Sequence, residues 1–135
     1  MPTPPLTAEL IWTQDLRFTA TTRTQSFDID SQSAAGPSPM QLLAVALAGC
    51  MAMDVADIIR KGRHPMTGLR VSLSADREQE PPKRLTAVHL HFAVAGAVPE
   101  AAVQRAIDLS RQRYCSVWHS LRQDLPFTTT VDIVP

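Results

Sequence analysis

The sequence predicts an α+β fold with mostly antiparallel strands, and three observations lead there. One long stretch, Pro39 to Lys61, carries the start and stop signals of a helix. Six short segments of alternating or β-rich character surround it, several joined by tight turns. Two further helical segments fall between the fifth and sixth strands, giving the order β-β-β-α-β-β-α-α-β. Hairpins combined with helices that gather on one face make an α+β architecture. A chain of 135 residues makes one domain, residues 1–135, with room for one core.

Residues 1–6 form a proline-rich lead without the apolar h-region of a secretory signal. Residues 7–13, with Leu10 and Trp12 alternating, read as a strand. Gln14 and Asp15 turn it. Residues 16–24 and 25–30, rich in Thr and Phe, are two more strands. Residues 31–37 are a loop of Ser, Gln, Ala, Gly and Pro.

The helix comes next. Ser38 caps it, and Pro39 suits its first position, where no N–H is needed. Arg60 and Lys61 complement the dipole at its end, and Gly62 stops it. From Leu42 to Met53 no side chain is charged on any face, a run of 12 residues. That run is short of the ~20 residues a membrane span needs. A helix apolar all round is otherwise buried, so this one is expected to be fully enclosed. One sheet covers only one side of it. Ala44, Ala48 and Ala52 form a ridge of small side chains that lets a second helix approach closely. A second copy of the chain is the expected source, making a homodimer.

Residues 69–77 and 85–95 alternate cleanly as two strands around a proline-containing hairpin loop. His89 and His91 lie opposite the apolar face of the second, as simple exposed residues. Residues 99–113 form a helix, 114–121 a shorter one, and 127–134 a last strand. Neither the His89/His91 pair nor Cys115 with His119 has the further ligands a metal site requires, so no metal is expected.

Charge and cysteine content narrow the function. There are 13 basic and 13 acidic residues and no basic block, which disfavours nucleic acid and anionic membranes as partners. Cys50 and Cys115 are the only cysteines. Two thiols are no disulfide framework, and the expected compartment is the cytoplasm. By count alone both are small buried hydrophobes. Cys50 lies mid-helix among apolar residues, which raises a thiol pKa, and Asp54 one turn on adds to this if it faces the same way. Activating Cys50 takes a cation from elsewhere in the fold. Cys115 stands at an expected helix start beside Arg111 and Arg113, a setting that favours thiolate.

The stretch Gly36-Pro37-Ser38-Pro39-Met40-Gln41-Leu42-Leu43-Ala44-Val45-Ala46-Leu47-Ala48-Gly49-Cys50, with Tyr114-Cys115-Ser116-Val117 further on, resembles the OsmC/Ohr family of osmotically inducible and organic hydroperoxide resistance proteins. The Trp12…Arg17-Phe18 start and the helix around Arg105 to Ser110 resemble its OsmC-like branch. The resemblance implies antiparallel sheets wrapped around a long central helix in an intertwined homodimer. It also implies a thiol peroxidase reducing alkyl or lipid hydroperoxides in oxidative-stress defence. Cys50 would be the peroxidatic thiolate, Cys115 the resolving thiol and Arg17 the activating cation. Met40, Gln41, Leu43, Leu47 and Met53, with Met51, would line the substrate site. No bound cofactor is implied, only an external dithiol reductant such as a lipoyl group. In the peroxidase members a glutamate follows the proline that opens the helix and orients the arginine. Met40 and Gln41 stand there instead; Gln41 can accept a hydrogen bond from a guanidinium but makes no ionic pair. The other reading is a dimeric binding module for a small apolar or thiol-reactive ligand, with cysteines that only pack.

Overall fold

The computed structural model describes residues 2–134, so Met1 of the expected lead lies outside the described residues. The chain forms two compact units, Met1–Ala44 and Val45–Pro135. The first contains β1 (Glu9–Gln14), β2 (Arg17–Thr22) and β3 (Gln25–Asp30), an antiparallel meander in that order. Ala20 and Ile29 are its buried apolar residues, while Leu10, Ile11, Trp12, Leu16 and Phe27 remain exposed. Three strands with so little enclosed apolar surface need cover to be stable.

The second unit is a sheet of β4 (Met66–Arg77), β5 (Leu85–Gly96) and β6 (Phe127–Val134) in that order. β4 and β5 make the expected antiparallel hairpin, but β6 runs parallel to β5. The reason is the connection. Between them lie α2 (Glu100–Leu109) and α3 (Ser116–His119). A crossover of this length carries the chain back to start at the same end, where a short turn would have reversed it.

The register stacks one apolar face across all three strands. Val71, Phe92 and Val131 lie side by side, as do Leu69, Val94 and Ile133. On that face Val88, Leu90, Phe92 and Val94 are buried together with Val103, Ala106, Ile107, Trp118 and Phe127. The opposite face is polar, but its histidines are not simple exposed residues. Both are half-buried, with His89 Nδ1 2.7 Å from Thr128 Oγ1 and His91 Nδ1 2.6 Å from Thr130 Oγ1 on β6.

The long helix, α1 (Pro39–Lys61), spans 23 residues as expected from its caps. Its first turn closes with a capping box that the sequence spells as Ser38-x-x-Gln41: Gln41 N–H donates to Ser38 Oγ, and Ser38 N–H donates back to Gln41 Oε1. The expectation of full enclosure is corrected. Leu47, Met51, Val55 and Ile59 form one buried stripe in the core of the second unit. Val45 and Met53 are 66% and 74% exposed, and the Ala44, Ala48, Ala52 ridge is only half-buried. By length and composition the whole helix is long and apolar enough to cross a membrane. The 12-residue charge-free run is therefore too narrow a measure. What marks α1 as a core helix is the stripe that packs into the protein.

Candidate functional site

Cys50 and Cys115 are 65 positions apart in sequence (115 − 50) and come together in the second unit. Sγ of Cys50, Sγ of Cys115 and a carboxylate oxygen of Asp54 all lie within 4.8 Å of one another. Both thiols are free. Cys115 is fully buried, and Cys50 and Asp54 are half-buried. The spacing of Cys50 and Asp54 explains half of this geometry, because residues four apart share a helix face.

The other half comes from an irregularity. After Leu109 the helix widens into a π turn over Ser110–Tyr114, with Cys115 N–H donating to Ser110 O at 2.8 Å. Such turns contain one residue more than an α turn. This one directs Ser110 inward, where it is buried and its Oγ–H donates to Asp54 Oδ2 at 2.7 Å. It also releases Cys115 into extended backbone (φ −73°, ψ 101°), from which its Sγ caps α3 by accepting from Trp118 N–H at 3.3 Å.

The electrostatics differ from the sequence expectation for Cys115. Its thiol pKa is pushed up to about 11, chiefly by burial, with Cys50 and Asp54 adding to the rise and the Trp118 N–H opposing it. The two arginines expected to favour thiolate point elsewhere. The Arg111 guanidinium lies over Trp118 and Phe127, 5.5 and 4.8 Å from the ring centroids, and Arg113 lies over Tyr114. A four-residue helix also has little dipole to offer.

The first unit holds a second arrangement. Arg17 Nε–H donates to Asp30 Oδ2 at 3.0 Å, across the β2–β3 pair in which these residues are partners. Asp30 is only 2% exposed and also accepts from the backbone N–H groups of Gln32, Ala34 and Ala35. The Ala35 and Gln32 N–H groups, then Arg17 and Ala34, hold its carboxyl below the usual range against the opposing effect of burial. The loop reaches Asp30 because Gly36 passes so close to β3 that a Cβ would strike the Asp28 carbonyl.

Asp30 is the residue sequence reasoning missed. A two-residue turn at Arg23-Thr24 pairs Thr22 with Gln25 and, by counting outward, Arg17 with Asp30; that count was available from the sequence. Gln41 is corrected too. Its oxygen is used by Ser38 N–H and by Ser33 Oγ–H at 2.9 Å each, not by a guanidinium.

Of the expected lining residues, Met40 and Leu43 are half-buried on the first turns of α1, Leu47 and Met51 are core, and Met53 is exposed.

The sequence pattern of the family described as OsmC-like protein matches residues 30–130. The chain belongs to the OsmC-like family. Protein YhfA of Escherichia coli strain K12 is 40% identical over 99 residues, spanning 73% of this chain and 74% of YhfA. The OsmC-like protein from Mycoplasma pneumoniae superposes with a TM-score of 0.85 at 18% identity, covering 98% of this chain and 99% of that one. An organic hydroperoxide resistance protein from Elizabethkingia anophelis does so with a TM-score of 0.70 at 16% identity, covering 97% of each chain. At such identities these two establish the shared fold, an α+β arrangement of two three-stranded sheets and a long helix.

Proposed function

We propose that this OsmC-like protein is a thiol peroxidase that reduces organic hydroperoxides in the cytoplasm as part of oxidative-stress defence. The observation that carries the reading is the meeting of the two sulfurs within 4.8 Å. A disulfide needs ~2.05 Å, so the pair has less than about 3 Å to close. The likeness in fold to organic hydroperoxide resistance proteins supports it.

The chemistry assigns unequal roles. Cys50, the less buried thiol, attacks the hydroperoxide as thiolate: its sulfur bonds to the distal oxygen, the O–O bond breaks, and the alkoxide leaves and takes a proton as alcohol. Cys50 becomes a sulfenic acid. The Cys115 sulfur then displaces hydroxide from it, its own proton completes a water molecule, and the disulfide forms. A thiol held near pKa 11 stays protonated at neutral pH, which suits a resolving partner that waits for the sulfenic acid. An external dithiol, such as a lipoyl group, exchanges its two hydrogens for the bridge and restores both thiols. We assign Arg17, steadied by Asp30, as the cation that favours the Cys50 thiolate, and the apolar side chains of α1 as the wall that selects alkyl or lipid hydroperoxides.

A homodimer is part of the same proposal. Val45 and Met53 on α1, with the exposed apolar residues of β1–β3, supply the surface for a second copy. Light scattering should give twice the chain mass, 14.8 kDa, at micromolar concentration.

Stopped-flow measurement of alkyl hydroperoxide consumption with a dithiol reductant tests the activity. The wild type should consume it, faster than hydrogen peroxide. Cys50→Ser should abolish consumption, and Cys115→Ser should stop at a sulfenic acid that dimedone traps. No consumption by the wild type, with slow labelling of both thiols, would instead favour the binding-module reading, for which the deep burial of Cys115 is the supporting observation.

A further inference from the structure

Two thiols and a carboxylate converging from separate segments form a donor set as well as a redox pair. We propose that reduced Cys50 and Cys115, with Asp54, constitute a binding site for a thiophilic divalent cation of the zinc type. The inference rests on the donor geometry and not on the peroxidase reading.

Several observations converge on it. The three ligand atoms lie within 4.8 Å of one another. A tetrahedral zinc ion with ~2.3 Å bonds to sulfur holds its donors about 3.8 Å apart, so the trio needs to contract by no more than about 1 Å. Two sulfurs select a soft or borderline ion over magnesium or calcium. Ser110, buried and donating to Asp54 Oδ2 at 2.7 Å, orients the carboxylate as outer-sphere partners of metal ligands do. An open cavity of about 610 Å³ lies against Asp54 and gives an ion a way in. Three protein ligands leave the fourth position to water.

This site differs from the Cys115 and His119 pair visible in the sequence, because the trio takes Cys115 with Cys50 and Asp54. Binding one divalent ion by both thiols releases their two protons and leaves the ion's formal charge matched by two thiolates. A disulfide between Cys50 and Cys115 removes both sulfur donors, so oxidation of the pair and occupancy by the ion exclude each other.

Cadmium, followed by its ultraviolet sulfur-to-metal charge transfer, is the probe. Titration into the reduced, full-length wild type should saturate at one ion per chain, and zinc should displace it. The peroxide- or diamide-oxidised wild type should show no band, a control that requires no variant. Zinc should slow iodoacetamide labelling of Cys50 by about tenfold or more. Ser110→Ala, which keeps all three donors, should weaken binding about 10- to 100-fold, and Asp54→Asn should weaken it at least as much. The proposal is overturned if the reduced wild type shows no saturable band, if the band persists unchanged in Cys115→Ser, or if Asp54→Asn binds as tightly as wild type. None of these readouts requires turnover, so a negative result leaves the peroxidase reading standing, and an inactive enzyme leaves the metal site standing.

Discussion

Asp30 and Cys115 are both buried ionisable residues in one short chain, and their surroundings push them in opposite directions. Asp30 collects three backbone N–H groups and a guanidinium. It is therefore held charged in spite of its burial. Cys115 receives one weak backbone donor and has a second thiol and a carboxylate as neighbours. It is held protonated. Burial penalises charge in both places, and what decides the outcome is the number of donors aimed at the group. In this fold a loop supplies such donors readily, because its backbone N–H groups have no partner in a helix or sheet. A turn of helix spends its donors internally.

The contrast is broken most severely at Asp30. Asp30→Asn keeps the shape but removes the charge that Arg17 and three N–H groups converge on. Chemical denaturation should show a larger stability loss than for Ser110→Ala or Gln41→Ala, and an unchanged midpoint would mean that the cluster contributes nothing net. The pH dependence should sharpen the contrast from both ends. For Asp30, whose folded pKa lies below the ordinary value of 3.8, the stabilisation is present above that value and lost as pH falls through the folded one. For Cys115 the folded pKa lies above the 9.0 of an exposed thiol. Between about pH 9 and about 11 the unfolded chain gives up its proton first, so stability should decline over that window and be flat below it. Alkylation of Cys115 in the folded Cys50→Ser variant should stay slow until the same alkaline range.

Smaller effects isolate single bonds. Ser110→Ala leaves Asp54 one donor short beneath the π turn and should cost about 1–2 kcal/mol in a denaturation experiment. Gln41→Ala opens the capping box and removes the acceptor for Ser33, at a cost of about 1 kcal/mol. An equal loss in Arg17→Lys and Gln41→Ala, with no additivity between them, would contradict the separation of the guanidinium from Gln41 seen in the first unit.

Local signals in the sequence carried most of the fold. The caps of α1, the alternation in residues 69–77 and 85–95 and the turn at Gln14-Asp15 each rest on neighbouring residues, and each reappears in place. What escaped was set by longer range. The parallel pairing of β6 depends on where two helices return the chain, and no property of residues 127–134 states it. The site was legible in the same proportion. That Cys50 and Cys115 belong together came from family resemblance, because nothing local links them. Asp54 is visible in the sequence as a neighbour of Cys50, but its bond to Ser110 needs a π turn that no residue pattern announces. Arg111 and Arg113 misled, since sequence proximity to Cys115 says nothing about aromatic faces that compete for the guanidinium. Asp30 could have been found by counting register outward from the Arg23-Thr24 turn.

The extra residue in the turn at Ser110–Tyr114 makes this part of the chain sensitive to length. Removing one amino acid there would let the helix revert to the ordinary repeat, rotating the downstream segment by about 100° and drawing it back about 1.5 Å. The sheet, whose strands are fixed by their own ladders, would not notice. The two sulfurs would face different ways, so a one-codon deletion can silence the chemistry of a chain that still folds, while every residue of the cysteine pair remains in its gene.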